Sequence, residues 1–267
     1  AAAPAPGGRD TAALDLIRLE QVRRVMTSAD LSPFLRRQAV FRTSGSALEP
    51  AFHELYVSIV DLERAFLPGS SLASDRWLFQ HMTRVLDLRV LSLIGARRCV
   101  SVADISLNLN IATVLSPEFL AFDREVPKPE RGSITIELQP IDIMADISSF
   151  MCARDFLRER GYRLCVDGVK HLALPLVDCD WLGVDFVKLH WGPDLLDDLD
   201  GRRGEGLKAA ARRIGAERLI LARCDSPDAV RAGAALEITL YQGRLFDAAK
   251  SAPAYDKDGI AAPTASS

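Results

Sequence analysis

The chain has 267 residues, of which 48% are hydrophobic, and this is enough to bury a sizeable core in one large domain or at most two. Such a composition excludes collagen, coiled coils and disordered chains. The 33 basic and 36 acidic residues leave a formal net charge of -3, so no strong positive field is available to attract polymeric nucleic acid or anionic lipid.

The cysteines and the hydropathy pattern bear on the compartment. The 5 cysteines are widely spaced and contain no CxxC pair, which predicts neither a disulfide framework nor a zinc ribbon and favours the reducing cytoplasm. No apolar run is long enough for a membrane span, and the N-terminus lacks the features of a signal peptide. The first residue is Ala rather than Met, which is compatible with a piece of a longer protein whose sensor or membrane anchor lies upstream.

The two ends of the chain differ in composition from the middle. Residues 1–9 and 251–267 consist mostly of Ala, Pro, Gly and Ser with few large apolar groups, and we expect disordered tails there. The sequence therefore predicts a tail and helix over 1–30, a central domain over 31–250 and a C-terminal tail.

An amphipathic helix is predicted over residues 10–29. Its apolar residues recur at helical spacing, and they are Leu16, Leu19, Val22 and Met26. Such a helix either packs on the domain that follows or serves as a dimerising signalling helix that connects the domain to a neighbour.

Eight runs rich in β-branched residues follow, with helical stretches between them. The runs lie at 37–43, 53–59, 103–109, 133–139, 163–169, 184–190, 218–224 and 238–243. The helical stretches include Asp75–Leu91, Pro117–Arg124, Asp142–Arg160, Gly206–Ile214 and Pro227–Ala234. Strands and helices that alternate over about 210 residues predict an α/β fold, a TIM-like (β/α)8 barrel.

Two local signals refine this barrel. Only residues 44–52 separate the first two strands, which is too few for a helical crossover and predicts an antiparallel pair. Ser116 and Ser226 each precede a proline at the start of a predicted helix, which is the pattern of an N-cap residue.

Polar side chains stand at or near the ends of these apolar runs. They are Glu54, Asn108, Glu137, Asp167, Lys188, Arg223 and Gln242. Burying any of them alone would cost several kcal/mol, so each must be solvated or paired. Because chemistry in such barrels collects at the carboxyl ends of the strands, the sequence predicts that these residues share one polar site.

The order of these motifs between residues 34 and 248 resembles the EAL-type cyclic-di-GMP phosphodiesterase domain of bacterial signalling proteins. The matching segments are HELY (53–56), ISLNLN (105–110), TIELQP (135–140), LCVDGVKH (164–171), VDFVKLH (184–190), LILARCDS (219–226) and YQGRLF (241–246). VDFVKLH is the best match, against Val-Asp-x-x-Lys-Ile-Asp in the family, and its interval back to Asp167 has no gap.

The resemblance implies an EAL-type barrel and, in active members, hydrolysis of a phosphodiester bond by a water held between two divalent metals. Magnesium and manganese need several hard oxygen ligands for this. Glu54, Asn108 and Asp167 stand at positions of such ligands in this sequence.

Three other ligand positions depart from the family pattern. Gly168 replaces the second of its paired aspartates, Pro140 replaces the last Glu of Glu-Ile-Thr-Glu, and Arg223 replaces the Glu before Gly-Val-Glu-Thr. Together these changes make the site more positive by about four charges, and each lost carboxylate removes both a ligand and local attraction for a cation. We therefore expect no metal cofactor and no catalytic residue.

Other positions bear on whether the ligand of the family still binds. Lys188 and Gln242 are retained and need no metal to form hydrogen bonds, but Ser58 stands where the family has an arginine that contacts phosphate. Arg223 could compensate from the opposite wall. The glycine-rich loop that couples the site to dimerisation in the family is Val169–Leu172 here, and His190 replaces the last Asp of the lysine motif. We expect His190 to be a packed or hydrogen-bonded residue rather than a ligand.

The sequence thus predicts a catalytically degenerate EAL-like domain, not an enzyme, that acts in bacterial signalling by binding an unidentified protein partner. The alternative is a metal-independent cyclic-di-GMP receptor, with a pocket built from Asn108, Glu54, Lys188, Arg223 and Gln242. An active phosphodiesterase that uses a relocated ligand such as Glu137 is the third hypothesis. A homodimer is compatible with all three.

Overall fold

A computed structural model describes residues 27–45, 47–66, 76–96 and 104–249 of the chain. The strands of these residues form one closed barrel in chain order. They are β1 (Leu35–Ser44), β2 (Ala47–Val57), β3 (Ile105–Asn108), β4 (Ile134–Leu138), β5 (Arg163–Val169), β6 (Phe186–His190), β7 (Leu219–Ala222) and β8 (Leu240–Tyr241). The predicted α/β barrel is thereby confirmed.

Helices connect the strands around the outside of the barrel. They are α1 (Ile59–Phe66), α2 (Arg76–Ala96), α3 (Ile111–Val114), α4 (Pro117–Glu125), α5 (Lys128–Arg131), α6 (Pro140–Ala145), α7 (Ile147–Arg160), α8 (Cys179–Leu182), α9 (Asp194–Asp200), α10 (Gly204–Ile214), α11 (Pro227–Ala235) and α12 (Arg244–Ala249). Short 3₁₀ helices occur at Ser32–Phe34 and His171–Leu176. Within the described residues, no helix is both long and apolar enough to cross a membrane. The predicted C-terminal tail, and all but the last three residues of the predicted N-terminal helix, lie outside the described residues.

The first two strands are antiparallel, as predicted, but their connection is much shorter than the sequence indicates. β1 ends at Ser44 and β2 begins at Ala47, so the predicted loop over 44–52 is wrong. Pro50 obscures the strand because proline cannot donate a ladder hydrogen bond. It is accommodated opposite Phe41, where the register shifts by one residue in a β-bulge.

The predicted helix over 142–160 is two helices, α6 and α7. The backbone leaves the helical conformation at Asp146, whose carboxylate accepts hydrogen bonds from the amide and the hydroxyl of Ser149. Asp146 thus ends one helix and caps the next, because an aspartate side chain competes with the helical backbone for donors. The cap predicted at Ser116 is confirmed by a bond from the amide of Phe119, whereas Ser226 accepts no such bond.

The barrel is a packed core rather than a pore, and its two ends differ. Away from its carboxyl end, the interior is filled by apolar side chains, which include Val40, Phe52, Ile220 and Leu240, each at most 2% exposed. A larger apolar layer joins the outer faces of the strands to the surrounding helices. The carboxyl end of the barrel instead holds charged and amide side chains, and this polar end is the candidate site.

Candidate functional site

The predicted polar residues meet at the carboxyl end of the barrel, and Lys188 lies at their centre. Its side chain is 1% exposed, yet its ammonium lies 2.7 Å from Oε2 of Glu54, across the barrel on β2. On β4, Oε1 and Oε2 of Glu137 lie 2.6 Å and 2.8 Å from the same nitrogen. Only the contact with Oε2 of Glu137 has hydrogen-bonding geometry, so Oε1 is held by charge alone.

Glu54 accepts two further hydrogen bonds. The amide nitrogen of Asn108 donates to Oε1 at 2.5 Å, and the amide nitrogen of Gln242 donates to Oε2 at 2.7 Å. Three donors, from β3, from β6 and from the residue that follows β8, therefore converge on one carboxylate. The predicted site residues Glu54, Asn108, Glu137, Lys188 and Gln242 form a single connected network.

Burial and charge act in opposite directions on the two central groups. Burial raises the pKa of Glu137 above its ordinary value, although the Lys188 charge pulls it down. Burial would lower the pKa of Lys188, but the carboxylates of Glu137 and Glu54 outweigh this effect and raise it. Lys188 therefore keeps its charge at neutral pH and serves as a built-in cation between two acids.

Asp167 and His190 form a second pair beside this network. Nε2 of His190 lies 3.2 Å from Oδ1 of Asp167, and both side chains are largely buried. Burial alone would raise the pKa of Asp167, but the hydrogen bond with His190 and the nearby Lys188 charge hold it below its ordinary value. His190 is thus a hydrogen-bonded residue at a strand end, as predicted.

Gly168 belongs to the same arrangement. Its φ of +85° lies in the left-handed region that favours glycine, and a Cβ at this position would lie 3.5 Å from Cε1 of His190. The imidazole ring would thus be in van der Waals contact with the first carbon of a side chain at this position. Gly168 and His190, two departures from the EAL pattern, are therefore neighbours in the site.

Arg223 reaches the site from the loop after β7. Its backbone has a φ of +65°, an unusual conformation for a residue other than glycine, and such strain is often found at functional sites. Its exposed guanidinium forms no hydrogen bond or ion pair with any other residue that the structure describes, although its charge lowers the pKa of Asp167 and Asp225. This cation is therefore available to an anionic ligand.

A pocket of about 340 Å³ opens between these groups. Its lining includes Glu54, Asp167, His190, Arg223 and Gln242, together with three residues that sequence analysis did not select, Gln38, Tyr56 and Asp225. Gln38 and Tyr56 belong to the antiparallel hairpin. Both lie within the predicted strand runs 37–43 and 53–59, and no local signal marks them as pocket residues.

A second polar group beside the network was also missed. Asp87 on α2 accepts hydrogen bonds from the backbone and side-chain amides of Asn110 and from the hydroxyl of Thr113. Together with Asn108 and Glu137 it lines a smaller pocket of about 120 Å³. Burial raises the pKa of Asp87 to about 6. A charged residue between Leu86 and Val90 on an apolar helix face was the available signal.

Two other departures from the EAL pattern have structural roles. Pro140 is the first residue of α6, a position where its missing N–H costs nothing. The hydroxyl of Ser58 accepts a hydrogen bond from the amide of Asp61 at the start of α1. Within the described ranges, no group of three or more His, Cys, Asp and Glu side chains could hold a metal ion.

The fold and the site define a closed β/α barrel with an antiparallel first strand pair and a charged network at its carboxyl end. Solved structures that match this fold include EAL domains. LapD of Vibrio cholerae, an S helix-GGDEF-EAL chain bound to c-di-GMP, has a TM-score of 0.63 at 13% identity, over 89% of this chain and 59% of that one. The EAL domain of FimX from Xanthomonas citri, in complex with c-di-GMP, has a TM-score of 0.55 at 12% identity, over 85% of this chain and 90% of that one.

The YkuI protein of Bacillus subtilis, with an EAL domain, in complex with its substrate c-di-GMP and calcium, has a TM-score of 0.54 at 16% identity, over 79% of this chain and 53% of that one. The present chain thus spans a little over half the length of LapD and YkuI. No protein-family model and no curated protein sequence matches it. The chain therefore has the fold of EAL domains, and at these identities the likeness is one of fold.

Proposed function

We propose that this chain is a catalytically inactive EAL-like domain that regulates bacterial signalling in the cytoplasm by binding a protein partner. The observation that carries the proposal is that hydrogen bonds from other side chains occupy the carboxylate of Glu54. The resemblance makes this carboxylate a metal ligand, yet its two oxygens accept bonds from Lys188, Asn108 and Gln242.

The donor set does not fit two divalent cations. The ammonium of Lys188 lies within 2.8 Å of both Glu54 and Glu137, and a divalent cation at the same oxygens would be repelled by it. Asp167 is paired with His190, and Arg223 brings a further positive charge to the pocket. Magnesium and manganese need several unshared oxygen ligands, and this network offers too few.

The loss of chemistry is compatible with a preserved scaffold. The apolar layers inside and around the barrel hold it together independently of the residues at its mouth. A barrel of this kind can keep its surface and its partner while its catalytic residues change. The preserved scaffold is compatible with a regulatory role, while the altered residues at its mouth argue against an enzymatic one.

The proposal is tested by incubating the purified chain with cyclic-di-GMP and millimolar Mn²⁺ or Mg²⁺, with chromatography of the nucleotides. We expect no linear product above a buffer control, while an active EAL domain under the same conditions converts the substrate. Turnover at an ordinary enzymatic rate, abolished by Glu54→Gln, would overturn the proposal. Circular dichroism of both samples ensures that a negative result comes from a folded chain.

A metal-independent receptor for cyclic-di-GMP is the second candidate, and the unpaired guanidinium of Arg223 favours it. Lys188 is enclosed by Glu54 and Glu137 and is therefore a poor ligand contact, whereas Arg223 is exposed beside the pocket. Calorimetric titration with and without metal separates the two candidates. A receptor binds with micromolar affinity that Arg223→Gln weakens and Arg124→Gln, on the outer helix α4, leaves unchanged. The partner-only function predicts no binding in any of these samples.

A further inference from the structure

A larger pocket lies at the opposite end of the barrel from the candidate site. It has a volume of about 520 Å³ and is lined by residues that precede or begin β5, β6 and β7. Its walls carry three arginines, Arg158, Arg163 and Arg218. The polar network at the carboxyl end has no part in it, so the function proposed above leaves this pocket unexplained.

Two of the arginines are held in place by backbone carbonyls. Arg218 donates to the carbonyl oxygens of Val184, at 2.5 Å, and Asp185, at 3.4 Å. Arg163 donates from Nη2 to the carbonyl oxygen of Ser133 at 2.9 Å. Because these bonds orient the guanidinium groups before any ligand arrives, little side-chain entropy remains to be lost on binding.

Arg163 is incompletely satisfied. Its Nε is buried and has no hydrogen-bond partner, while its guanidinium lies 5.9 Å and 5.6 Å from the ring centroids of Phe52 and Phe186. Burial lowers its pKa from the ordinary value, against the raising effect of Asp104 and Asp185. A poorly solvated cation of this kind is stabilised by a nearby anion.

Arg158 lies at the pocket edge with its side chain exposed. Its guanidinium forms no hydrogen bond or ion pair with another residue in the described part of the chain. A Cβ at position 183 would lie 2.6 Å from its Nη1, and the φ of Gly183 is +65°. The glycine therefore provides the space through which Arg158 reaches the pocket.

The acidic residues of the lining do not neutralise this set. Asp185 uses Oδ2 to accept the amide of Leu164 at 2.8 Å, and Asp180 is 95% exposed and lies 3.6 Å from Arg218. Three arginines against two aspartates leave the lining with a formal positive charge. Because the side chain of Asp180 is exposed, it can also turn away from the pocket into solvent.

We infer that this amino-end pocket, with Arg158, Arg163 and Arg218 on its walls, binds the phosphate group of a small molecule. Planar guanidinium groups match the paired oxygens of a phosphate, and the concave shape with a volume of hundreds of Å³ suits a small ligand better than a flat protein surface. The site is separate from the proposed loss of phosphodiesterase activity and does not depend on it.

The inference is tested by a titration of the ¹⁵N-labelled chain with pyrophosphate at constant ionic strength, followed by two-dimensional NMR. We expect saturable shifts at the amides of Gly161 and Gly183, which line the pocket. Arg158→Gln should raise the Kd about tenfold, because a charged donor is lost, while Arg124→Gln on α4 should leave it unchanged. Arg158 is exposed and without a structural bond, so its replacement leaves the fold intact.

The outcomes are distinct. Shifts at these amides that do not saturate, or that chloride reproduces, or an equal Kd in the Arg158→Gln variant, would overturn the inference. Parallel titrations with inorganic phosphate and with a nucleoside diphosphate identify the source of the phosphate, because an organic phosphate that contacts more of the pocket must bind more tightly than the inorganic ions. Hydrolysis of cyclic-di-GMP is measured separately, so failure of one proposal is not failure of the other.

Discussion

At the scale of single residues, Lys188 holds a positive charge at the centre of the barrel, where it is 1% exposed. It is paired with both Glu54 and Glu137, and the three groups form one connected ionic unit. Removal of one member of a buried ion pair leaves an uncompensated charge, which costs more than the pair itself contributes.

We therefore expect Lys188→Met to destabilise the chain by about 3 to 5 kcal/mol in urea unfolding at neutral pH. The double variant Lys188→Met, Glu137→Gln should recover a large part of this loss, because one of the two buried carboxylates is removed with its partner. Equal stability of the single and double variants would contradict a role of Glu137 as a paired buried acid.

Asp87 supplies a pH-dependent contribution. Its pKa is raised to about 6 from 3.8 because the group is buried, so the folded state holds its proton more tightly than the unfolded state. The stabilisation is therefore complete below pH 3.8 and is lost as the pH rises to about 6. The difference in pKa corresponds to about 3 kcal/mol.

Asp87→Asn removes this titration while keeping an oxygen that accepts from Asn110 and Thr113. Relative to the native chain, the variant should gain about 3 kcal/mol of stability between pH 4 and pH 7. Denaturant unfolding at several pH values measures the difference. Parallel stability curves for the two proteins would show that Asp87 does not titrate in this range.

At the scale of elements, the helix starts at Ser116 and Ser226 provide a matched comparison. Both serines have extended backbone and precede a proline, but only Ser116 accepts a hydrogen bond from a helix amide, that of Phe119 at 3.2 Å. We expect Ser116→Ala to cost about 1 kcal/mol and Ser226→Ala no more than a few tenths. Thermal or urea unfolding measures the loss of stability in each variant. A larger loss in Ser226→Ala than in Ser116→Ala would contradict the structural difference between the two caps.

At the scale of the whole molecule, the barrel is closed by its shortest strand. β8 pairs with β1 through two residue pairs, Phe41 with Tyr241 and Arg42 with Leu240. The ring centroid of Phe246 lies 4.9 Å from that of Tyr241 and 6.4 Å from that of Phe41. Phe246 thus covers the seam, which is the contact between β1 and β8. The β1–β8 contact is therefore held largely by aromatic packing, since few ladder bonds are available.

Phe246→Ala should destabilise the chain by about 3 kcal/mol and open the seam selectively. In native-state hydrogen exchange we expect faster exchange at Phe41–Thr43 and Tyr241 than in β5 and β6. Phe150→Ala, a buried change on α7 away from the seam, should lower the overall stability without this selective effect. Uniform acceleration in both variants would indicate that the barrel opens as one unit.

Much of the architecture could be predicted from local patterns. The β-branched runs and the helix-start residues are properties of short segments, and they were enough for the barrel, the order of its strands and the antiparallel first pair. The carboxyl ends of parallel strands meet at one end of a barrel, so the convergence of Glu54, Asn108, Glu137, Lys188 and Gln242 also followed from position along the chain.

The partners of these residues depended on the tertiary structure. Lys188 and Glu54 are 134 residues apart, and Gln242 and Glu54 are 188 apart, so their contacts exist only once the barrel closes. Asp87 reaches the site from a helix outside the barrel, and the ring of His190 lies against Gly168. No local pattern in the sequence predicts either contact. The sequence of a strand specifies which of its side chains point into the barrel. Packing across the barrel decides which of these side chains meet. It therefore also decides whether a carboxylate there can serve as a metal ligand or forms an ion pair.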